Sequence, residues 1–361
     1  MKKSFEEVFI DKTRYGTKIK TDEYCKSGKH IIVDQSQNAI AGFTDLDSGL
    51  FTDVPAIIFG DHTRVIKYVD EPFFLGADGT KILRSNICNA NYKYLYYALK
   101  NARIPNTGYN RHFKWLKEIE IQYPDEKTQN NIASLLDKVL YVINLRKDEL
   151  QKLDDLIRAR FVEMFESQAW ERVRAGTIML NMRNGVSPSN IGTYPAKVLT
   201  LSAITQGGFN PDSWKDGMFD VDPPLEKRVT ASDFYMCRGN GNKKLVGVGV
   251  YSKEDRYDLI FPDTAIAATI DLQRICLPYL FYAWQQPFVR KQIEAGARTT
   301  NGTYKINQGV VSNIELALPP LKLQKQFAAF VAAIDKSKAT VQKALDETQL
   351  LFDSLMQQYF G

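Results

Sequence analysis

The sequence predicts an α+β protein: two globular domains in tandem duplication, each followed by a long helix, with the two helices pairing as a coiled coil. Three observations carry this reading. First, the stretch IEIQYPDEKTQNNIA returns near the end of the chain as IELALPPLKLQKQFA. Ile119, Glu120, Pro124, Lys127, Gln129 and Ala133 match Ile314, Glu315, Pro319, Lys322, Gln324 and Ala328 at a constant offset of 195 residues. The match runs on without a gap to Leu150/Leu345, Leu156/Leu351 and Phe165/Phe360. Second, apolar residues inside both stretches step by four and three. Ile132, Leu136, Val139, Ile143, Leu150, Leu153, Ile157 and Met164 form one series, broken only at Arg146 and Arg160. Phe327, Val331, Ile334, Val341, Leu345, Phe352, Leu355 and Tyr359 form the other, broken at Lys338 and Thr348. Such a repeat over several heptads makes a narrow coiled-coil seam, and the nearest partner for each seam is the other one. Third, what precedes each helix is repeated as well. Tyr94-Leu95-Tyr96-Tyr97-Ala98 aligns with Tyr279-Leu280-Phe281-Tyr282-Ala283, and NTGYNRHFKWL with TNGTYKINQGVV.

These observations place the first globular domain at 1–123, the first helix at 124–167, the second domain at 168–318 and the second helix at 319–361. Within the first domain, PAIIFGDHTRVIKYVDEPFFLGADGTKIL holds β-branched and aromatic runs cut by Gly-Asp and Asp-Glu-Pro turns. NANYKYLYYALKN reads as a helix with Tyr94, Tyr97 and Ala98 on one face, and NTGYNRHFKWL as a turn leading into a short amphipathic piece. In the second domain, RGNGNKKLVGVGVY is a glycine-rich turn running into a strand, LIFPDTAIAATI a strand pair, and PYLFYAWQQPF a helix. Pro124 and Pro319-Pro320 mark sharp junctions into the long helices. Each helix is about 40 residues, or roughly 60 Å at 1.5 Å per residue.

At 361 residues, 44% hydrophobic and 25% charged, the composition is that of an ordinary soluble protein with more than one core. A net charge of +5 allows a polyanionic partner. There is no apolar run of membrane-spanning length, and MKKSFEEVF lacks the core of a signal peptide. Cys25, Cys88, Cys237 and Cys276 lie far apart, which suggests a reducing cytoplasmic setting with the thiols as core filler.

Catalytic motifs are scarce. His30, His62 and His112 accompany no nucleophile elbow, and Gly239-Asn240-Gly241-Asn242-Lys243 has the wrong spacing for a phosphate loop. Asp222-Pro223-Pro224-Leu225 is like the Asp-Pro-Pro-aromatic motif of amino-methyltransferases, but Leu225 cannot stack on a base and no methyl-donor loop precedes it. A turn is the better reading. Loop tips combining glycine, amide and cation recur in both domains instead. The candidates are His62, Arg64, Asn110 and Arg111 in the first, and Arg238, Asn240, Asn242, Lys243, Lys244, Arg298, Thr300, Asn301, Tyr304 and Lys305 in the second. Arg and Asn can contact base edges bidentately, Lys and Thr can hold phosphate oxygens, and glycine lets the backbone come close. The competing reading is a set of solvated polar loops.

Two variable domains, each followed by a proline, a nearby glutamine and a long helix, resemble the DNA-specificity subunit of type I restriction–modification systems. GDHTRVIKYVDEPFFLGADG and CRGNGNKKLVG resemble versions of its target-recognition domains, and IEIQYPDEKTQ and IELALPPLKLQ its helix entries. The family's helix aspartate, eleven residues after the glutamine, is Asp335 in the second copy and Leu140 in the first. The resemblance spans essentially the whole chain. It implies that each domain reads one half of a split, asymmetric site on double-stranded DNA. The helices, antiparallel and related by a pseudo-twofold, would set the spacing and dock two methyltransferase subunits, which motor–nuclease subunits join. The chain itself would be non-catalytic and hold no cofactor, since methyl donor, ATP and Mg²⁺ belong to those partners. Two rival readings are a coiled-coil scaffold that binds protein only and a self-contained DNA methyltransferase.

Overall fold

The computed structural model describes residues 1–76, 78–166, 168–189, 191–300 and 302–361. It divides into two compact units, Met1–Asp148 with Gln342–Gly361, and Glu149–Val341. The division falls inside both long helices, so each helix contributes one part to each unit.

The first unit is built on an antiparallel sheet of four strands, β1 (Phe9–Asp11), β2 (Ala56–Gly60), β3 (Ile66–Val69) and β4 (Thr80–Ser85), in the order β1-β4-β2-β3. β2 is central and covered on both faces, which is why it reads as the unbroken apolar run AIIFG and not as an alternating strand. A smaller sheet sets His30–Val33 between Gly42–Thr44 and Phe73–Leu75. Helix α1 (Tyr92–Lys100) starts at Asn91, whose side chain accepts from the Tyr94 amide at 2.8 Å, and it buries Tyr94, Leu95, Tyr97 and Leu99. The first long helix, α2 (Glu126–Phe165), is preceded by Asp125, whose carboxylate accepts from the Thr128 amide at 2.9 Å. Gln129 turns back to donate to the Pro124 carbonyl at 2.8 Å. In this unit the α2 residues Ile132, Leu136, Val139 and Ile143 are buried. Residues 342–361 pack on α1, with Phe352 edge-on to Tyr97 and Phe360 against Tyr94 at 5.3 Å between ring centres. Tyr94 also donates to the Gln122 carbonyl at 2.6 Å.

The second unit has a sheet of the same connectivity, with β5 (Met179–Asn184), β6 (Asp233–Cys237), β7 (Gly249–Tyr251) and β8 (Ala265–Ile270) in the order β5-β8-β6-β7. Beside it lies a second four-stranded sheet of Trp214–Phe219, Tyr194–Leu199, Arg256–Ile260 and Arg228–Val229. LIFPDTAIAATI therefore does not form a strand pair. Its two strands enter different sheets, because the chain redirects at Pro262, which has no amide hydrogen to continue a ladder. Asp233, 1% exposed, receives the Arg183 guanidinium and the hydroxyls of Thr230 and Thr269, tying β5 to β6 in the core.

Helix α3 (Leu277–Trp284) buries Tyr279, whose hydroxyl donates to the Ala317 carbonyl at 2.9 Å. The second long helix is α4 (Leu321–Phe360). Its fully buried Gln324 donates to the carbonyls of Pro319 and Arg274 and accepts from the Cys276 amide. Phe165 meets Tyr279 at 4.8 Å, Phe161 meets Phe327 at 5.5 Å, and Asp154 is ion-paired with Lys338. Both long helices contain 40 residues.

The thiols differ from the expectation. Cys237 is buried, and burial pushes its pKa up to about 11, whereas Cys25 and Cys88 are exposed and fill no core. Cys88 sits in a turn and Cys25 in a single β-bridge to Phe43, with both side chains facing solvent.

Candidate nucleic-acid interface

In each unit two loops distant in sequence are brought together at the end of the central strand. In the first unit they are the turn after β2 and residues 106–113. Asp61 is the clasp: its backbone carbonyl accepts from the His112 amide at 2.8 Å, and its carboxylate accepts from the Phe113 amide at 2.7 Å. The His112 ring lies fully buried with Nδ1 at 2.9 Å from the Asp61 carbonyl. Gln35 braces the same corner, accepting from the His62 amide and donating to the Asp78 carbonyl. His62 stacks face to face with Tyr109, with 4.6 Å between ring centres and 7° between planes.

Arg64 adopts a left-handed backbone (φ 60°), and its guanidinium donates to the Ile104 carbonyl at 3.2 Å. Asn110 and Arg111 are exposed, and the Asn110 amide donates to the Thr107 carbonyl. Lys18 and, more weakly, Arg111 hold the neighbouring Asp78 carboxyl below the usual carboxylate range. Arg64 also borders a cleft of about 710 Å³ whose other cations are Lys67, Lys93 and Lys100. Lys93 sits over the Tyr68 ring at 4.2 Å. Lys67 is buried and paired with Asp34, and Lys93 is paired with Asp137.

In the second unit the two loops merge into one small sheet. Gly239–Asn240 pairs with Thr303–Lys305, which pairs in turn with Arg298–Thr300. Asn240 lies opposite Tyr304, and Gly239 opposite Lys305. This places Arg238, Asn240, Asn242, Lys243 and Lys244 beside Arg298, Tyr304 and Lys305. Asn301 lies outside the described residues, and of Thr300 only the backbone is described. Lys243 stands over the Tyr304 ring at 5.9 Å.

The two asparagines differ from free readers. The Asn240 side-chain oxygen accepts from the Asn242 amide at 2.8 Å, and that of Asn242 from the Lys244 amide at 3.0 Å. Asn side chains in turns bond their own backbone in this way, so each oxygen keeps one lone pair, beside the amide hydrogens, to meet a ligand. Arg238 uses one guanidinium nitrogen on the Asp263 carbonyl. Lys243, Lys244, Arg298 and Lys305 are exposed.

Sequence reasoning missed Gln35, Asp61 and Tyr109. Asp61 and Tyr109 lie within loop tips that the sequence marked, but only their histidine, arginine and asparagine neighbours were taken as contacts. The Asp-Pro-Pro-Leu stretch is a turn in the structure: Asp222 is ion-paired with Arg228 at 2.6 Å and Leu225 is exposed. Among the described residues no cluster of metal-ligating side chains occurs, and no helix is long and apolar enough to cross a membrane.

This fold, two mixed units sharing two long helices, is the one found in specificity subunits of type I restriction–modification systems. The crystal structure of the S subunit from M. genitalium superimposes with a TM-score of 0.61 at 18% identity, covering 100% of this chain and 96% of that one. A chain from a structural study of type I R-M complex assembly and conformational transition gives 0.54 at 14% identity, covering 100% and 97%. Residues 2–155 match the model of the type I restriction modification DNA specificity domain. Among curated relatives, the chain is 23% identical over 262 residues to the type I restriction enzyme EcoKI specificity subunit of Escherichia coli (strain K12). It is 21% identical over 257 residues to the StySPI specificity subunit of Salmonella potsdam. Each alignment covers 66% of this chain and 55% of the relative, so the chain spans about half the length of the curated relatives it matches.

Proposed function

We propose that this chain is the DNA-specificity subunit of a type I restriction–modification complex and that each unit reads one half of a bipartite, asymmetric site. The observation that carries the proposal is the convergence, in both units, of two cation- and amide-bearing loops at the same end of a sheet of the same strand order. Phosphate contacts would come from Lys243, Lys244 and Lys305, and base-edge contacts from Arg238, Arg298 and Arg111, with the loop amides Asn110, Asn240 and Asn242 adding donors. His62 and Arg64 shape the tip of the first unit.

The units arise, on this reading, from a tandem duplication of 1–123 with its helix into 168–318 with its own. Support comes from contacts that recur between the two copies, at an offset of 195 residues for the helix entries and ends and 185 for the tyrosines. Tyr94 donates to Gln122 as Tyr279 does to Ala317, Gln129 to Pro124 as Gln324 does to Pro319, and Phe360 covers Tyr94 as Phe165 covers Tyr279. Within the second unit α2 and α4 run in opposite senses, since Phe161 meets Phe327 while Asp154 meets Lys338. This supports an antiparallel coiled-coil spacer. Leu135, Val142 and Leu145 remain exposed on α2 and offer an apolar stripe for a methyltransferase subunit. Two such subunits, and motor–nuclease subunits beyond them, bring methyl donor, ATP and Mg²⁺, so the chain itself catalyses nothing. The setting is the cytoplasm, where the DNA is.

Mapping of methylated sites in cells with and without this chain, its methyltransferase partner present throughout, tests the proposal. The expected result is one split, non-palindromic site modified only when the chain is present. A methylation pattern indifferent to the chain overturns it. Methyl transfer by the purified chain alone would favour the self-contained enzyme instead.

A further inference from the structure

We infer that Tyr109 is a base-stacking residue of the first unit, its open ring face receiving a nucleobase of the half-site that unit reads. The inference rests on the DNA reading above and adds to it a residue and a mode of contact. Tyr109 is 88% exposed, an unusual position for a large aromatic ring with no core to join. It is nonetheless held in place. One ring face lies flat on His62 at 4.6 Å, and His62 is itself fixed through its amide to Gln35. The turn that carries Tyr109 is closed by the Asn110 amide on the Thr107 carbonyl and by the Gly108 amide on the Asn106 side chain. Gly108 has φ of +76°, and a Cβ there would meet nothing within 4 Å, so the left-handed backbone alone calls for glycine. The second ring face is left to solvent.

The surroundings indicate what that face accepts. His62 backs the opposite face and the exposed Arg111 follows two residues on, a setting that favours an electron-rich, anion-bearing partner over a purely apolar one. A nucleobase offers a flat π face and brings its own phosphates to the neighbouring cations. In duplex DNA the contact requires a ring wedged at a base step or a base drawn out of the stack, both of which apolar and aromatic side chains achieve. The tyrosine at the equivalent place in the second unit, Tyr304, is only partly exposed and lies in a strand with Lys243 over its ring. Of these two tyrosines, Tyr109 is the one that presents a bare ring.

The test uses the chain assembled with its methyltransferase partner and duplexes carrying the mapped site. Abasic sites are introduced one position at a time through both half-sites. Wild type, Tyr109→Leu and Tyr109→Phe are compared by competition binding. Stacking on one base is worth about 5- to 150-fold in Kd, so Tyr109→Leu should weaken binding by that factor while Tyr109→Phe stays near wild type. At one position of the first half-site, removing the base should weaken the wild type but leave Tyr109→Leu unchanged, the non-additivity of a direct contact. Additive effects at every position, or wild-type affinity of Tyr109→Leu, overturn the inference while leaving the DNA reading intact. A wild-type complex that does not distinguish its mapped site from competitor DNA overturns the DNA reading and the inference with it. Unchanged binding to DNA combined with failure of Tyr109→Leu to bind a peptide or protein partner would assign the ring to protein recognition and also overturn it.

Discussion

Single side chains decide both how firmly the second unit holds together and how it meets a ligand. Arg183 and Asp233 form an ion pair that is almost fully buried, and two threonine hydroxyls complete the carboxylate's hydrogen bonds. Removing one member leaves the other charged in the core, which costs about 3–5 kcal/mol. Arg183→Ala should therefore lower the unfolding free energy by that amount in chemical denaturation, whereas Arg256→Ala, whose carboxylate partner Asp258 is on the surface, should change it little. At the loop tips, Arg238→Ala should relax base preference in one half-site, at a cost of about 1–3 kcal/mol if the arginine grips its base bidentately. The double change Lys243→Ala and Lys244→Ala should weaken all sequences alike and flatten the salt dependence by about one unit for each phosphate no longer neutralised. Competitive binding at several salt concentrations separates the two behaviours. Asn240→Ala is expected to act through the loop as well, because the Asn240 oxygen holds the turn through the Asn242 amide.

The long helices were readable from sequence because their chemistry is periodic: a four-three step of apolar residues survives any surrounding fold. Their burial follows the series through Ile132, Leu136, Val139, Ile143 and Ile157 on α2 and Phe327, Val331, Val341, Leu345 and Phe352 on α4, but at the far ends Phe161, Phe165 and Met356 are buried while Met164, Leu355 and Tyr359 are only partly so. The clasp from Asp61 to His112 was not readable, since a backbone carbonyl and an imidazole 51 residues apart leave no pattern in a single sequence. Nor was the second sheet of the second unit, whose strands are short and come from scattered segments. Loop composition pointed to the tips but not to which side-chain atoms the loops use internally. If the helices set the distance between half-sites, a heptad inserted after Leu150 and another after Leu345 keeps the seam in register. The spacer would lengthen by about 10 Å, and mapped sites should show a gap wider by about one to three base pairs with both half-sites unchanged. An unchanged gap at full activity would refute the spacer role. Four residues inserted in one helix alone should break the register and lower the yield of folded protein.

For the molecule as a whole, two units with the same sheet order and different loop surfaces predict modular recognition. Exchanging residues 168–318 for the corresponding part of another such chain should alter one half of the methylated site and leave the other as it was. Methylation mapping reads this directly, and simultaneous change of both halves would refute independent reading. The makeup of the units bears also on how the chain is synthesised. The unit of residues 149–341 is continuous, so a ribosome can release all of it before residues 342–361 of the other unit. The other unit waits for residues 342–361, because Phe352 and Phe360 cover Tyr97 and Tyr94. Until they emerge, residues 1–148 lack the cover that Phe352 and Phe360 give to Tyr97 and Tyr94 on α1. The usual order, in which the N-terminal part finishes first, is thereby reversed. A nascent chain stalled at residue 341 should be digested by protease within residues 1–148 and resist digestion within residues 168–318.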